Sequence, residues 1–256
     1  VEGMTYDPRF LQAALNGDRI HPAVPHTPDE LAADTVASVA AGADSVHVHA
    51  FDDHDRQTLA AQHVARVLRA IRLASPGTPI SMTTSADVES DPAIRYRAIE
   101  AWTELPDLVT ANQGEPGIVD VCELLARRGV GIEAGLLSLA DAEAFVASGT
   151  ARWCVRVMVE PLDADPEAAV AHAAAIETVV SSAGITLPQV HHGDGVASWA
   201  VNERAVRLGH GIRTGLEDTP DLADNRRAKN NAECVRAARA LLDGTTSQRH
   251  GRAPGA

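Results

Sequence analysis

The chain has 256 residues, 45% of them hydrophobic but only 3% aromatic, enough for a sizeable core of Ala, Val, Leu and Ile. A formal charge of -13 and a pI near 5.2 argue against the basic face that a nucleic-acid partner requires. The three cysteines, Cys122, Cys154 and Cys234, are scattered, and no apolar run nears the ~20 residues that span a bilayer, so neither a disulfide framework nor a membrane span is expected.

The opening VEGMTYDPRF lacks a basic segment followed by an apolar one, so no signal peptide is expected and a cytoplasmic location is. Phe10–Leu15 reads as a first strand. Thr27-Pro28-Asp29-Glu30 is a capping box with proline at the first helical position, opening a helix that stops at Gly42. The strand Asp44–Ala50 and a helix near Leu59–Ala74 follow. Next come the strand Pro79–Thr84 and a helix near Pro92–Leu105, then the strand Leu108–Ala111 and the helix Ile118–Arg128. Val130–Ala134 is a fifth strand, followed by the helix Ala140–Ala147. Trp153–Val159 is almost continuously apolar, as suits a strand covered on both faces. Pro166–Ala183 is an Ala-rich helix. The strand Leu187–His191, the helix Ala197–Leu208, the strand Gly211–Leu216 and the helix Asn231–Leu242 complete the series. Residues 1–8 and 245–256 read as loose ends.

This is βα alternation throughout, without a GxGxxG loop or P-loop, and predicts a single-domain (β/α)8 TIM barrel rather than an open doubly wound sheet. Catalytic groups of such a barrel gather at the C-terminal ends of its strands. On the second strand, His47 and His49 share one face while Val46 and Val48 take the other. Two inward imidazoles suit a metal site; a bonded core histidine beside a surface one is the plainer alternative. On the eighth strand, Arg213 and Glu217 share a parity. Strands 2 and 8 fill the same interior layers, so a carboxylate from one can meet histidines from the other. Two histidines and a carboxylate are a catalytic donor set, with zinc the first choice and Mn, Fe, Co or Ni also accepted. An ordinary rim ion pair among Arg213, Glu217 and Asp218 is the competing explanation.

The chain resembles the β-keto acid cleavage enzymes, the family of the 3-keto-5-aminohexanoate cleavage enzyme. The resemblance rests on Ala14–Gly17, on AVPHTPDELAAD (Ala23–Asp34), on GADSVHVHAFD (Gly42–Asp52), on SMTTSA (Ser81–Ala86), on GIEAGL (Gly131–Leu136) and above all on GIRTGLEDT (Gly211–Thr219). It implies a zinc held by His47, His49 and Glu217. It implies condensation of a β-keto acid with acetyl-CoA to give acetoacetate and a new acyl-CoA, with Asp218 as base oriented by Arg213. Glu133 matches a family acid and Thr83 a hydroxyl of the substrate site. Thr110 and Asn112 fall where substrate contacts are expected. Members that cleave an amino keto acid carry an acid where this chain has Arg19, which should instead favour a carboxylate or hydroxyl. One of His191 and His192 should face inward toward substrate, and His192 is assigned that place. The resemblance further implies a homotetramer or similar homo-oligomer.

A metal-dependent barrel hydrolase or a metal-dependent (class II-type) aldolase acting on a small carboxylate are the alternatives, as is a barrel that only binds one. Lys229 is the only lysine and follows the last strand, which leaves no strand amine for Schiff-base chemistry.

Overall fold

In the computed structural model, residues 7–250 are described, with only the backbone for 245–250. The strands are β1 (Leu11–Ala14), β2 (Ser45–Val48), β3 (Ile80–Thr83), β4 (Leu108–Asn112), β5 (Gly131–Leu136), β6 (Cys154–Val159), β7 (Gln189–His191) and β8 (Gly211–Thr214). Each pairs in parallel with the next, and β8 closes on β1, so the fold is a (β/α)8 barrel. Between and after them run α1 (Pro28–Ala40), α2 (Ala61–Ala74), α3 (Pro92–Glu100), α4 (Ile118–Arg127), α5 (Leu139–Ser148), α6 (Pro166–Ser182), α7 (Ser198–Leu208) and α8 (Asn231–His250). Among the described residues no helix is long and apolar enough to cross a membrane.

Local chemistry sets several boundaries. The Thr27 hydroxyl accepts from the Glu30 N–H, and the Glu30 carboxylate accepts from the Thr27 N–H at 2.9 Å, which starts α1 as its capping box requires. Asp91 and Asp165 cap α3 and α6, each followed by proline. α3 stops at Glu100, short of the expected Leu105. Pro106 disfavours helix at the residue before it, and Trp102 turns inward to donate from Nε1 to the Leu59 carbonyl at 2.7 Å. α8 instead continues past the expected Leu242 to His250. Residues 1–6 and 251–256, parts of the ends expected to be loose, lie outside the described residues.

The alternation along the strands divides two environments. Leu11, Ala13, Val46, Val48, Ile80, Met82, Val109, Ile132, Val157 and Ile212 are buried in the apolar core with Val64, Val67, Leu68 and Ile71 of α2. Their neighbours Gln12, His47, Ser81, Thr110, Glu133, Arg156 and Arg213 are equally buried but polar. Barrel interiors are usually filled by branched aliphatics. Here the interior is hydrogen-bonded across its width: Gln12 of β1 donates to Glu133 of β5 at 2.9 Å. Most buried polar groups are partnered in this way.

Two βα loops share one shape. After β2, Phe51 bridges Gln57 antiparallel around Asp55 at φ 60°; after β8, Asp221 bridges Arg227 around Asn225 at φ 62°. Asp and Asn are the side chains that best tolerate this left-handed backbone.

Candidate active site

The polar interior rises to a cavity of about 310 Å³ at the C-terminal mouth of the barrel, lined by His47, His49, Thr83, Thr110, Asn112, Arg19, Arg213, Glu217 and Asp218 among others. The strands deliver their side chains by parity, with one exception. β8 ends at Thr214, so Glu217 stands in a turn and not on the strand, as had been expected. The turn begins at Gly215, where a Cβ would lie 1.9 Å from the Ala14 carbonyl oxygen, so only glycine lets β8 leave this close to β1. His49 likewise lies just beyond β2, held by its N–H to Asn16 Oδ1 at 2.8 Å.

His47 and His49 point their Nε2 atoms at each other at 3.3 Å, with rings at 79°. Glu217 Oε1 lies 3.7 Å from the first and 3.6 Å from the second. On their far sides both rings are anchored at Nδ1. His49 Nδ1 is 2.6 Å from Gln57 Oε1, an acceptor, so that nitrogen carries the proton. His47 Nδ1 is 3.2 Å from the Ser81 hydroxyl and 3.3 Å from that of Thr110. Both hydroxyls also reach Glu133 Oε2, so they donate to the carboxylate and accept from the imidazole. Each Nε2 is then left with a lone pair. Burial pushes His47 down to about 3, so it stays neutral at ordinary pH. Burial raises Glu217, but opposite charge, chiefly the Arg213 guanidinium at 2.6 Å, outweighs it and holds the carboxyl well below its usual range. Glu217 Oε2 is buried with no hydrogen-bond partner. Two lone pairs and a carboxylate with an orphaned oxygen converge, a donor set that fits a divalent cation.

Asp218 stands beside this cluster. Burial raises its carboxyl, yet Arg213, donating from Nη2 at 2.7 Å and Nε at 3.1 Å, holds it below its usual range. Glu160, which the sequence reading missed, lines the same cavity just past β6. Burial raises its carboxyl although His192 and Arg213 pull it back. His192 lies wedged between the two acids, Nδ1 3.5 Å from Asp218 and Nε2 3.4 Å from Glu160. Of the histidine pair, His192 therefore packs against the site's two acids, but it is fully buried behind them and does not line the cavity. His191 faces outward and stacks on His210 at 4.7 Å between α6 and α7.

Arg19 lines the cavity but is already engaged. Its Nε donates to the Glu217 carbonyl at 2.9 Å and its Nη2 pairs with Asp194, so its charge is matched. Glu133 does not reach the cavity wall; it lies under the floor, against Gln12, Ser81, Thr110 and Arg156. Thr83 accepts from the Ser85 N–H at 3.2 Å, and Asn112 donates to Glu115 at 3.0 Å. Glu115 in turn accepts from the Ala86 N–H and pairs with Arg95, which ties the loop after β4 to the loop after β3. Gln57, Glu160 and Asp194 carry no strand periodicity, and no sequence signal marks them.

Glu177, His191 and His210 form a second group with clustered ligand atoms among the described residues. Its two rings are nearly parallel, 8° apart, so their in-plane lone pairs do not converge. Arg204 and His210 already satisfy Glu177. This group is a structural ion-pair network.

Comparison with solved structures agrees with the fold. The chain is 18% identical to the apo structure of ObcA, with a TM-score of 0.69 over 88% of this chain and 63% of that one. A binary complex of ObcA with oxaloacetate matches at 18% identity and TM-score 0.71, covering 88% and 64%. The chain thus spans less than two-thirds of the ObcA chains. The 3-dehydroquinate dehydratase of Geobacillus kaustophilus HTA426 matches at 16% identity and TM-score 0.63 over 98% and 94%. No functionally curated sequence matches significantly. The sequence pattern of the beta-keto acid cleavage enzymes (BKACE) matches residues 8–248, nearly the whole chain. The chain belongs to the beta-keto acid cleavage enzyme family.

Proposed function

We propose that the protein condenses a β-keto acid with acetyl-CoA, releasing acetoacetate and a new acyl-CoA by a retro-Claisen route. The observation that carries this reading is the convergence of His47 Nε2, His49 Nε2 and the Glu217 carboxylate, one oxygen of which has no hydrogen-bond partner, beside Asp218. His47, His49 and Glu217 would hold a divalent ion, zinc being the first choice. When bound, that ion supplies the Lewis acidity that makes hydrogens between a keto and a carboxylate group removable at neutral pH. Asp218 takes that proton. Its pairing with Arg213 makes it a weak base, which suits an already acidified carbon and aligns the carboxylate. The carbanion attacks the thioester carbonyl and expels the CoA thiolate. The thiolate attacks the substrate keto carbon, the carbon–carbon bond breaks, and the Asp218 proton passes to the acetoacetate carbanion. Thr83, Thr110 and Asn112, which line the cavity, would hold the keto acid, and His192 would keep Asp218 oriented. Because Asp194 matches the charge of Arg19, that corner selects a hydroxyl or another uncharged polar substituent. Glu133 acts through Ser81 and Thr110 on His47 and not on substrate. Homo-oligomeric assembly is part of the same proposal and is checked by light scattering.

The test is acetoacetate formation from acetyl-CoA and a panel of β-keto acids, with metal analysis of the same protein. About one divalent ion per chain and CoA-dependent acetoacetate are expected. His47→Ala and Glu217→Gln should lose both metal and turnover; Asp218→Asn should keep the metal and lose turnover. Acid release from amides or lactones without CoA would instead favour the hydrolase reading.

A further inference from the structure

Along one wall of the catalytic cavity three side chains stand in a row. Asp218 Oδ1 lies 3.5 Å from His192 Nδ1, and His192 Nε2 lies 3.4 Å from Glu160 Oε2. The barrel builds this row. The Glu160 N–H donates to the Leu136 carbonyl at 3.0 Å and the His192 N–H to the Val159 carbonyl at 3.0 Å, so the ends of β6 and β7 set the two side chains next to each other. His192 is fully buried and the Asp218 side chain is 2% exposed, whereas the Glu160 side chain is 21% exposed and lines the cavity. Of the three, Glu160 is the one that meets water.

The row is one proton short. A neutral imidazole carries one N–H and one lone pair, and an ionised carboxylate only accepts. With both acids ionised, one ring nitrogen faces a carboxylate lone pair to lone pair, whichever tautomer the ring takes. Neither ring nitrogen of His192 has a hydrogen-bond partner, which is uncommon for buried polar atoms. One added proton completes the row wherever it sits. On Asp218 it donates to Nδ1 while Nε2–H donates to Glu160. On the ring it gives an imidazolium that donates both ways. On Glu160 it donates to Nε2 while Nδ1–H donates to Asp218. All three arrangements carry the same charge. The contacts are slightly longer than hydrogen bonds, as catalytic contacts often are before substrate binds.

We propose that His192 and Glu160 relay the proton that Asp218 takes from the substrate to water in the cavity, and bring one back for the product. This rests on the function proposed above. When the substrate C–H bond breaks, its electron pair stays on carbon and its proton supplies the one the row lacks. Asp218 passes that proton to Nδ1 as Nε2–H passes its own to Glu160. Asp218 is then a carboxylate again, and Glu160 holds a proton at the cavity wall, open to exchange with water. Run backward, the same shift recharges Asp218 for the acetoacetate carbanion. Arg213 weakens Asp218 as a base, and a ring nitrogen waiting for a proton draws the other way. Burial raises the Glu160 carboxyl, which suits it to receive the proton.

Acetoacetate deuterated at the carbon between its carbonyl groups tests the relay. Metal-loaded whole protein in ordinary water receives this probe alone, and deuterium loss is followed by NMR. The same preparation is assayed for acetoacetate formation from acetyl-CoA and a keto acid. Wild-type protein should wash deuterium out into water. In Glu160→Gln the relay has no carboxylate to end on, so the ratio of deuterium loss to turnover should fall about tenfold or more. A purely supporting role for Glu160 lowers both rates together, and an unchanged ratio overturns the relay. So does a wild-type protein that turns over without washing deuterium out. His192→Gln reads the same ratio should Glu160→Gln lose its metal or its fold. Deuterium loss in the wild type without any acetoacetate formed from acetyl-CoA would sink the proposed condensation and leave the relay standing.

Discussion

Single side chains show how the proposed cation site would be kept ready. His47 and His49 would repel each other through facing lone pairs unless something held the rings, and Gln57, Ser81 and Thr110 hold them from behind. Partners of this kind fix the tautomer of a ligating histidine, and their loss typically costs 10–100-fold in metal affinity. Gln57→Leu is therefore expected to weaken binding of a divalent ion, with zinc as the probe, about tenfold or more, measured by competition with a chromophoric chelator. An unchanged affinity would mean that Gln57 does not set the His49 tautomer. Nothing in the local sequence points to Gln57, because it reaches His49 only through the bridge to Phe51. The two histidines themselves are legible, since period-two alternation alone brings them to one face.

At the level of elements, the βα loops decide the site more than the strands do. β8 delivers Arg213 as its parity requires, but Glu217 arrives by a turn. The loop after β1 shapes that arrival: a Cβ on Gly17 would stand 2.8 Å from Glu217 Cγ. Gly17→Ala is expected to displace the Glu217 side chain and weaken metal binding about tenfold while the barrel stays folded, as circular dichroism with metal titration would show. Wild-type metal affinity in that variant would show that the carboxylate has room to spare. Parity along β8 alone therefore placed Glu217 in the right cavity on an inexact premise, because a turn opened by glycine carries it back toward β1. α3 teaches the same lesson: its helical pattern runs on past Glu100, but Pro106 and the burial of Trp102 end it.

For the molecule as a whole, ionisable groups buried away from the cavity set the pH response of stability. Burial between α1 and the start of α8 pushes the Asp34 carboxyl up to about 6, against an ordinary value near about 4, although the Asn231 amide donates to it. A carboxyl raised on folding favours the protonated form. Its contribution is full below the unfolded value and is lost as pH rises through about 6. Asp34→Asn keeps a neutral side chain at all pH. Its melting temperature should match the wild type near pH 4 and exceed it near pH 8; no gain at pH 8 would show that the Asn231 hydrogen bond outweighs the desolvation.

By itself the sequence determined the alternation of elements, and through it the barrel. Its two-residue and 3.6-residue periods report directly on which faces meet apolar neighbours. It also set His47 and His49 on one face of their strand, since parity along a strand is a local property. Only the tertiary structure decided that Glu133 lies beneath the cavity, that Asp194 matches Arg19, that His192 and not His191 faces Asp218, and that Gln57 and Glu160 belong to the site. Those relations join residues far apart in the chain or placed on loops. Ring closure and loop geometry create them, and neither leaves a period for a linear reading to detect.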